Sequence, residues 1–158
     1  MVTNNVLNTR NPLLQYLETS TTSLIDVTTS IPRDDTIPQN TEGQEILTLT
    51  ITPQRTTSKL IVKFSVPVGR EVASNNSCSI ALFQDASVNA LAATGYRLSF
   101  NNLTLEHVMT SGTTSATTFK IRFGLSDGAH VYLNGDDAGN RVMGGVSKAV
   151  FTIEEYFA

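Results

Sequence analysis

Val131-Tyr132-Leu133-Asn134-Gly135-Asp136-Asp137-Ala138-Gly139-Asn140-Arg141-Val142-Met143-Gly144-Gly145 runs into Val146-Ser147-Lys148-Ala149-Val150-Phe151-Thr152-Ile153-Glu154-Glu155-Tyr156, and this stretch decides the fold. Asn134, Gly135 and the Asp and Gly residues after them tolerate positive φ, so they read as a tight turn between two strands, Val131–Leu133 and Arg141–Met143. Gly144 and Gly145 make a second break. Beyond it, Ala149, Phe151 and Ile153 alternate with Lys148, Val150, Thr152 and Glu154, the period of a strand. Val150 makes the second face partly apolar, which suits an inner strand covered on both sides. Left at an edge, so apolar a strand would invite aggregation, so its expected place is inside a sheet.

Working outward, the same period recurs. Gln44–Thr52 carries Leu47, Leu49 and Ile51 on one face. Leu60, Val62, Phe64 and Val66 alternate with Ile61, Lys63 and Ser65. The short link through Pro53 and Arg55-Thr56-Thr57-Ser58 predicts that these two strands are antiparallel neighbours. In Ser77–Gln84 both faces are apolar, with Cys78, Ile80 and Leu82 on one and Ala81 and Phe83 on the other. The second face is expected at a subunit contact or under a loop. Leu103, Leu105, His107 and Met109, then Phe119, Ile121, Phe123 and Leu125, mark two more strands. Ser23–Ile31 reads as an earlier one, ended by Pro32, Asp34-Asp35 and Pro38. The total is about eight strands at short, irregular spacing, the pattern of an all-β antiparallel jelly-roll sandwich over residues 23–158.

Residues 1–22 differ in texture and read as an N-terminal arm, extended or short-helical. Asn11 as N-cap, Pro12 at the first helical position, and Leu13 with Leu17 on one side would allow one or two helical turns. So short a helix needs a surface to lie on. Leu7, Pro12, Leu13, Leu14, Tyr16 and Leu17 are the candidate anchoring residues. An arm folded back on its own domain is the competing reading.

Composition narrows the function. Of the 158 residues 16% are charged and the formal net charge is −3. The Lys and Arg residues are scattered, without the basic stripe of a nucleic-acid binder, so no nucleic-acid partner is expected. No apolar run reaches the length of a membrane span, so no insertion is expected either. The first residues lack the basic and apolar regions of a secretion signal, which implies synthesis in a host cytoplasm. The single cysteine, Cys78, reads as a small buried apolar group. His107 and His130 are the only histidines. Neither sits in a nucleophile-elbow or zinc-protease pattern, and Glu106 points away from His107 along the strand, so no enzyme is expected. Asp136, Asp137 and Asn140 offer too few oxygens at the wrong offsets for calcium, and neither metal nor cofactor is expected.

The final stretch also carries a resemblance. Tyr132-Leu133-Asn134-Gly135, Arg141, Gly144-Gly145 and Thr152-Ile153-Glu154 resemble the ending of a recurrent module of bacteriophage fibre and virion-surface proteins. Asp34-Asp35-Thr36-Ile37-Pro38-Gln39-Asn40-Thr41-Glu42-Gly43 resembles its opening. Ala81-Leu82-Phe83-Gln84-Asp85 and Asn89-Ala90-Leu91-Ala92-Ala93 resemble its middle. The resemblance spans residues 27–156. It implies a β-sandwich similar to the trimeric TNF/C1q-like jelly roll, with the C-terminal strand in the inner sheet near the three-fold axis. Phe151, Ile153, Tyr156 and Phe157 are then expected as core or trimer contacts, and Asn134, Gly135, Gly144 and Gly145 as the turn motif. Two functions follow from it. One is a trimeric capsid decoration, cement or head-fibre protein docked on the major capsid protein through its arm. The other is a receptor-binding tip or adaptor of a tail fibre, with tail subunits and a host surface glycan as partners. Both place the chain in the virion.

Overall fold

The computed structural model of the chain describes residues 12–70, 77–96, 100–126 and 130–158. Among them are ten strands: β1 (Leu13–Thr21), β2 (Ile25–Val27), β3 (Gln44–Ile51), β4 (Lys59–Arg70), β5 (Cys78–Gln84), β6 (Ala92–Tyr96), β7 (Phe100–Thr110), β8 (Thr117–Leu125), β9 (Val131–Leu133) and β10 (Ala149–Tyr156). One 3-10 turn, Met143–Gly145, is the only helical element among the described residues. The count differs from the expected eight because the arm forms β1 and β6 follows the 85–91 loop, while Arg141–Met143 is not a strand.

Two sheets face each other. The front sheet has six strands in the order β1-β10-β4-β9-β2, with β7 also paired to β4. β7 runs along one whole edge of β4, so β10 and β9 share the other edge end to end. The back sheet has the order β3-β8-β5-β6. With β2 and β9 set aside, the pairs are β1 with β10, β3 with β8, β4 with β7 and β5 with β6. First pairs with last and each inner pair nests within the one outside it. That is a long hairpin rolled up, the jelly roll expected from the strand pattern.

The core lies between the sheets and is built from the alternating positions. Leu60, Val62, Phe64, Val66 and Val68 of β4, Phe119, Ile121, Phe123 and Leu125 of β8, and Phe151 and Ile153 of β10 are all buried. The Phe64 and Phe151 rings meet edge to face, 6.3 Å apart at 80°. Each such side chain taken from water contributes roughly 1.5–3 kcal/mol. Cys78 is buried.

Several expectations are corrected. Leu13–Thr21 is a strand, not helical turns: its backbone pairs with β10 from Tyr156 back to Ala149. Of the two forms foreseen for the arm, the extended one is present here, and Leu7 lies outside the described residues. β3 and β4 are not neighbours. The 52–58 link carries the chain from the back sheet to the front, so each pairs elsewhere. The early strand over Ser23–Ile31 is cut to Ile25–Val27, after which Ile31 N–H and Leu125 N–H bond across to Leu125 and Thr29 carbonyls in the back sheet. Gly124 makes room there: a Cβ on it would lie 2.6 Å from Ile31 N. The loop after Leu133 is no hairpin. Gly135 and Arg141 share an isolated bridge, but β9 takes β2 and β4 as partners. The apolar second face of β5 is covered by a loop: Ile31 and Ala90 pack on Ala81 and Phe83.

Candidate functional site

The outward face of the front sheet is a continuous surface across four paired strands. Strand pairing aligns its side chains in rows across β1, β10, β4 and β7. One row is Tyr16, Glu154, Ile61 and Val108. The next is Glu18, Thr152, Lys63 and Glu106, and a third is Ser20, Val150, Ser65 and Thr104. A shallow concavity of about 380 Å³ runs over the last two, lined by Lys63, Ser65, Thr104, Glu106, Val150 and Thr152. Tyr16 is 50% exposed and Val108 47%, so apolar surface on this face is open to solvent.

A polar lattice sets the charge pattern of that face. Lys63 Nζ lies 3.1 Å from Glu154 Oε1, and Lys148 Nζ 3.7 Å from Glu18 Oε1. The Tyr156 hydroxyl donates to Glu154 Oε2 at 2.8 Å, and the Tyr16 hydroxyl to Glu18 Oε2 at 2.7 Å. The Tyr156 hydroxyl, helped by Lys63 and opposed by partial burial, holds the Glu154 carboxyl below its ordinary range. Glu154 in turn raises Lys63, and the carboxylate acceptors raise both tyrosines.

Behind the lower end of the same sheet sits a buried carboxylate. Glu155 follows Ala149, Phe151 and Ile153 in phase, so its side chain points inward and is fully buried. Gln54 N–H donates to both its oxygens, at 2.9 and 3.1 Å. The Ser58 hydroxyl and Gln15 Nε2 also donate to it. Burial pushes the carboxyl up, but the Ser58, Gln15, Gln54 and Arg55 donors outweigh it and the net shift is downward. Gln15 Nε2 also reaches Thr52 O at 2.9 Å, and Gln54 Nε2 reaches Leu14 O at 3.2 Å. The Ser111 hydroxyl closes the cluster on Arg55 O at 2.5 Å. One carboxylate thus ties β1, the 52–58 link and β10 together. A satisfied buried network of this kind specifies a single arrangement of the segments it joins.

The expected site residues fall in different places. Phe151 and Ile153 are fully buried inside their own sandwich, as core. Tyr156 is half-buried on the outward face. Phe157 is 37% exposed with the Arg55 guanidinium 4.7 Å over its ring. Leu17 packs on the core from β1, Leu14 is half-buried, and Pro12, Leu13 and Tyr16 are exposed. Asn134 adopts φ 59° and is buried; its Nδ2 donates to Thr21 O at 3.0 Å and Ser23 O at 2.9 Å. It therefore fastens the turn after β9 to the link between β1 and β2. Gly135 backs onto Leu24, while Gly144 and Gly145 take positive φ in the open loop. Sequence reasoning missed Glu155. Its signal was there: an acidic residue in phase with Phe151 and Ile153.

His130 Nδ1 lies 2.9 Å from Asp26 Oδ1 on the surface and its ring stacks on Tyr132. Asp136 is a turn residue: Oδ1 accepts from Ala138 N–H at 3.0 Å and Asn140 N–H at 2.7 Å, which lowers its pKa, the Asn140 backbone first. Among the described residues no cluster of three or more His, Cys, Asp or Glu is arranged to hold a metal. No helix among them is long and apolar enough to cross a membrane.

No family model and no curated protein matches the chain. Solved structures with some similarity include the EclA C-terminal domain, a sugar-binding protein, at 18% identity and TM-score 0.43 over 70% of this chain and 73% of that one. The infectious bursal disease virus VP2 subviral particle is similar at 12% identity and TM-score 0.37, over 91% of this chain and 42% of that one. The enzymatically active domain of bacteriophage CBA120 tailspike protein 4 is similar at 14% and 0.30, over 78% and 19%. At these values none of them transfers a function.

Proposed function

We propose that this chain is a structural protein of a bacteriophage particle, a homotrimer that decorates the capsid and is held to the major capsid protein through its N-terminal arm. The observation that carries the reading is the outward face of the front sheet. Ile61, Val108, Val150 and the two tyrosines there form apolar ground between Lys63, Glu106 and Glu154. Oligomer interfaces bury such mixtures, with aromatic residues enriched. The back sheet needs no subunit to cover β5, because its own loop does so. The module resemblance over residues 27–156 supports the same assembly and a place on a virion. Phe157 N–H bonds Pro12 O at 3.3 Å, so β1 begins beside the end of β10. Three arms leaving a trimer there would act together, and linked weak sites gain orders of magnitude in avidity.

The test has two parts. Sedimentation should give three times the chain mass of 17.1 kDa. Deleting residues 1–11, which spares β1, should leave that assembly intact and abolish binding to capsids. A single-chain mass sinks the trimer; full decoration by the truncated chain sinks the arm. A second reading, the receptor-binding tip or adaptor of a tail fibre, is favoured by the polar cleft described next. It predicts that purified protein binds host cells and blocks adsorption.

A further inference from the structure

The outward face of the back sheet holds a cleft of about 350 Å³, lined by Asn40, Glu45, Phe83, Asp85, Ala86, Lys120 and Arg122. That volume lies within the range of small-ligand sites. Its floor is set by register: Lys120 lies between Thr48 and Phe83, and Arg122 between Glu45 and Ala81. Two backbone features fix the walls. Arg122 Nε and Nη2 each donate at 2.6 Å, to Glu42 O and Gly43 O, which pins the 40–43 loop to β8. On the other side Asp85 N–H donates to Thr118 O at 2.7 Å while Asp85 Oδ1 accepts Thr118 N–H at 2.8 Å. This double bond holds Asp85 at φ 50°, an uncommon value for a residue with a side chain.

What remains unused is informative. Asp85 Oδ2 has only a long 3.4 Å approach from Gln84 Nε2. Lys120 forms no ion pair among the described residues. Asn40 spends its Nδ2 on Ser87 O at 3.1 Å, which leaves its Oδ1 as an acceptor. Arg122 stays 3.8 Å from Glu45 Oε2, too long for a direct hydrogen bond. Formal charge in the cleft balances, with Glu45 and Asp85 against Lys120 and Arg122. An anion there would meet two carboxylates and a cation would meet two basic groups. A neutral molecule whose hydroxyls both donate and accept would satisfy each side.

From this we infer that the cleft is a binding site for a neutral saccharide unit, with Asp85 Oδ2 and Asn40 Oδ1 accepting hydroxyl protons and Lys120 Nζ donating. The cleft is complete within one chain, so the inference stands apart from trimer formation and capsid docking.

The test is titration of the full chain with neutral hexose and N-acetylhexosamine oligosaccharides, read by NMR and by glycan array, with a sialylated oligosaccharide and a free amino acid as charged comparators. Neutral sugars should shift the amides of Phe83–Ala86 and Lys120. Asp85→Asn keeps a side chain suited to positive φ and the bond from Thr118 N–H, so it should fold, yet weaken binding about tenfold. Lys120→Ala should weaken it several-fold, while Lys63→Ala on the opposite sheet should leave it unchanged. Absence of binding by any neutral sugar, binding indifferent to both cleft substitutions, or preference for either charged comparator would overturn the proposal.

Discussion

β5 and β10 are both central strands with apolar residues on their outward faces, and the molecule treats them differently. On β5, Ala81 and Phe83 are sealed by the chain's own Ile31 and Ala90. On β10, Val150 shares its face with Thr152, Glu154 and Tyr156, and all four are only partly buried among the described residues. Excess apolarity in a strand therefore says that a face is covered, not by what. The loops 28–43 and 85–91 answer the question for the back sheet. For the front sheet the polar lattice around Lys63 is interspersed with the apolar side chains of that face.

The sharpest way to break this contrast is at the two aromatic residues. Phe151→Ala empties the inter-sheet core and should cost about 4 kcal/mol, and Phe83→Ala about 3 kcal/mol, in urea unfolding. If the loop is what covers Phe83, its loss should not depend on protein concentration. A concentration-dependent midpoint would mean that another copy lies over β5.

Next in size is the buried carboxylate that fastens β1 to β10. Glu155→Ala leaves its donors buried without an acceptor and should cost about 3 kcal/mol. Because the folded-state pKa lies below the unfolded value, the stabilisation is full above the ordinary Glu range. It fades as pH falls through the folded-state pKa. Unfolding midpoints between pH 7 and pH 2.5 should therefore drop more steeply for the native chain than for Glu155→Gln. Parallel curves would remove the linkage.

Smaller effects are expected on the outward face of the front sheet. Val108→Ser with Tyr16→Ser should change single-chain stability by no more than about 0.5 kcal/mol, because both side chains are half exposed. If the proposed trimer forms through this face, the same pair should dissociate it, as read by sedimentation. Retention of the trimer would move the interface elsewhere. On the same face, Lys63→Ala removes a partly buried pair and should cost less than about 1 kcal/mol, a difference reduced by high salt.

Much of the sandwich was legible because side-chain period is a local property. β4, β8 and β10 are written in alternating large residues that sterics and burial leave little choice but to make strands. β1 was not legible in that way. Leu13 and Leu17 satisfy a helical spacing, while Gln15, Leu17 and Thr19 satisfy the strand spacing that β10 selects, and only the partner decides. The pairing of β3 and β4 failed for a related reason. A short link bounds distance but not which sheet the chain enters next, and here Pro53 to Ser58 crosses the sandwich. Glu155 was readable from its phase. The back-sheet cleft was not, since Asn40, Asp85 and Lys120 meet only after the roll has closed.

The nesting of first strand with last has a consequence for how the protein is made. During synthesis β3, β5, β6 and β8 are all available once residue 125 has emerged, so the back sheet has every partner it needs. One flank of β4 has none. Until Ala149–Tyr156 leaves the ribosome, that flank waits open and β1 has nothing to zip onto. At about 5–20 residues per second this is an interval of seconds in which that flank of β4 and the whole of β1 lack their partner. A ribosome stalled before Ala149–Tyr156 had emerged would hold a finished rear sheet and a front sheet still lacking β10 and the pairing of β1.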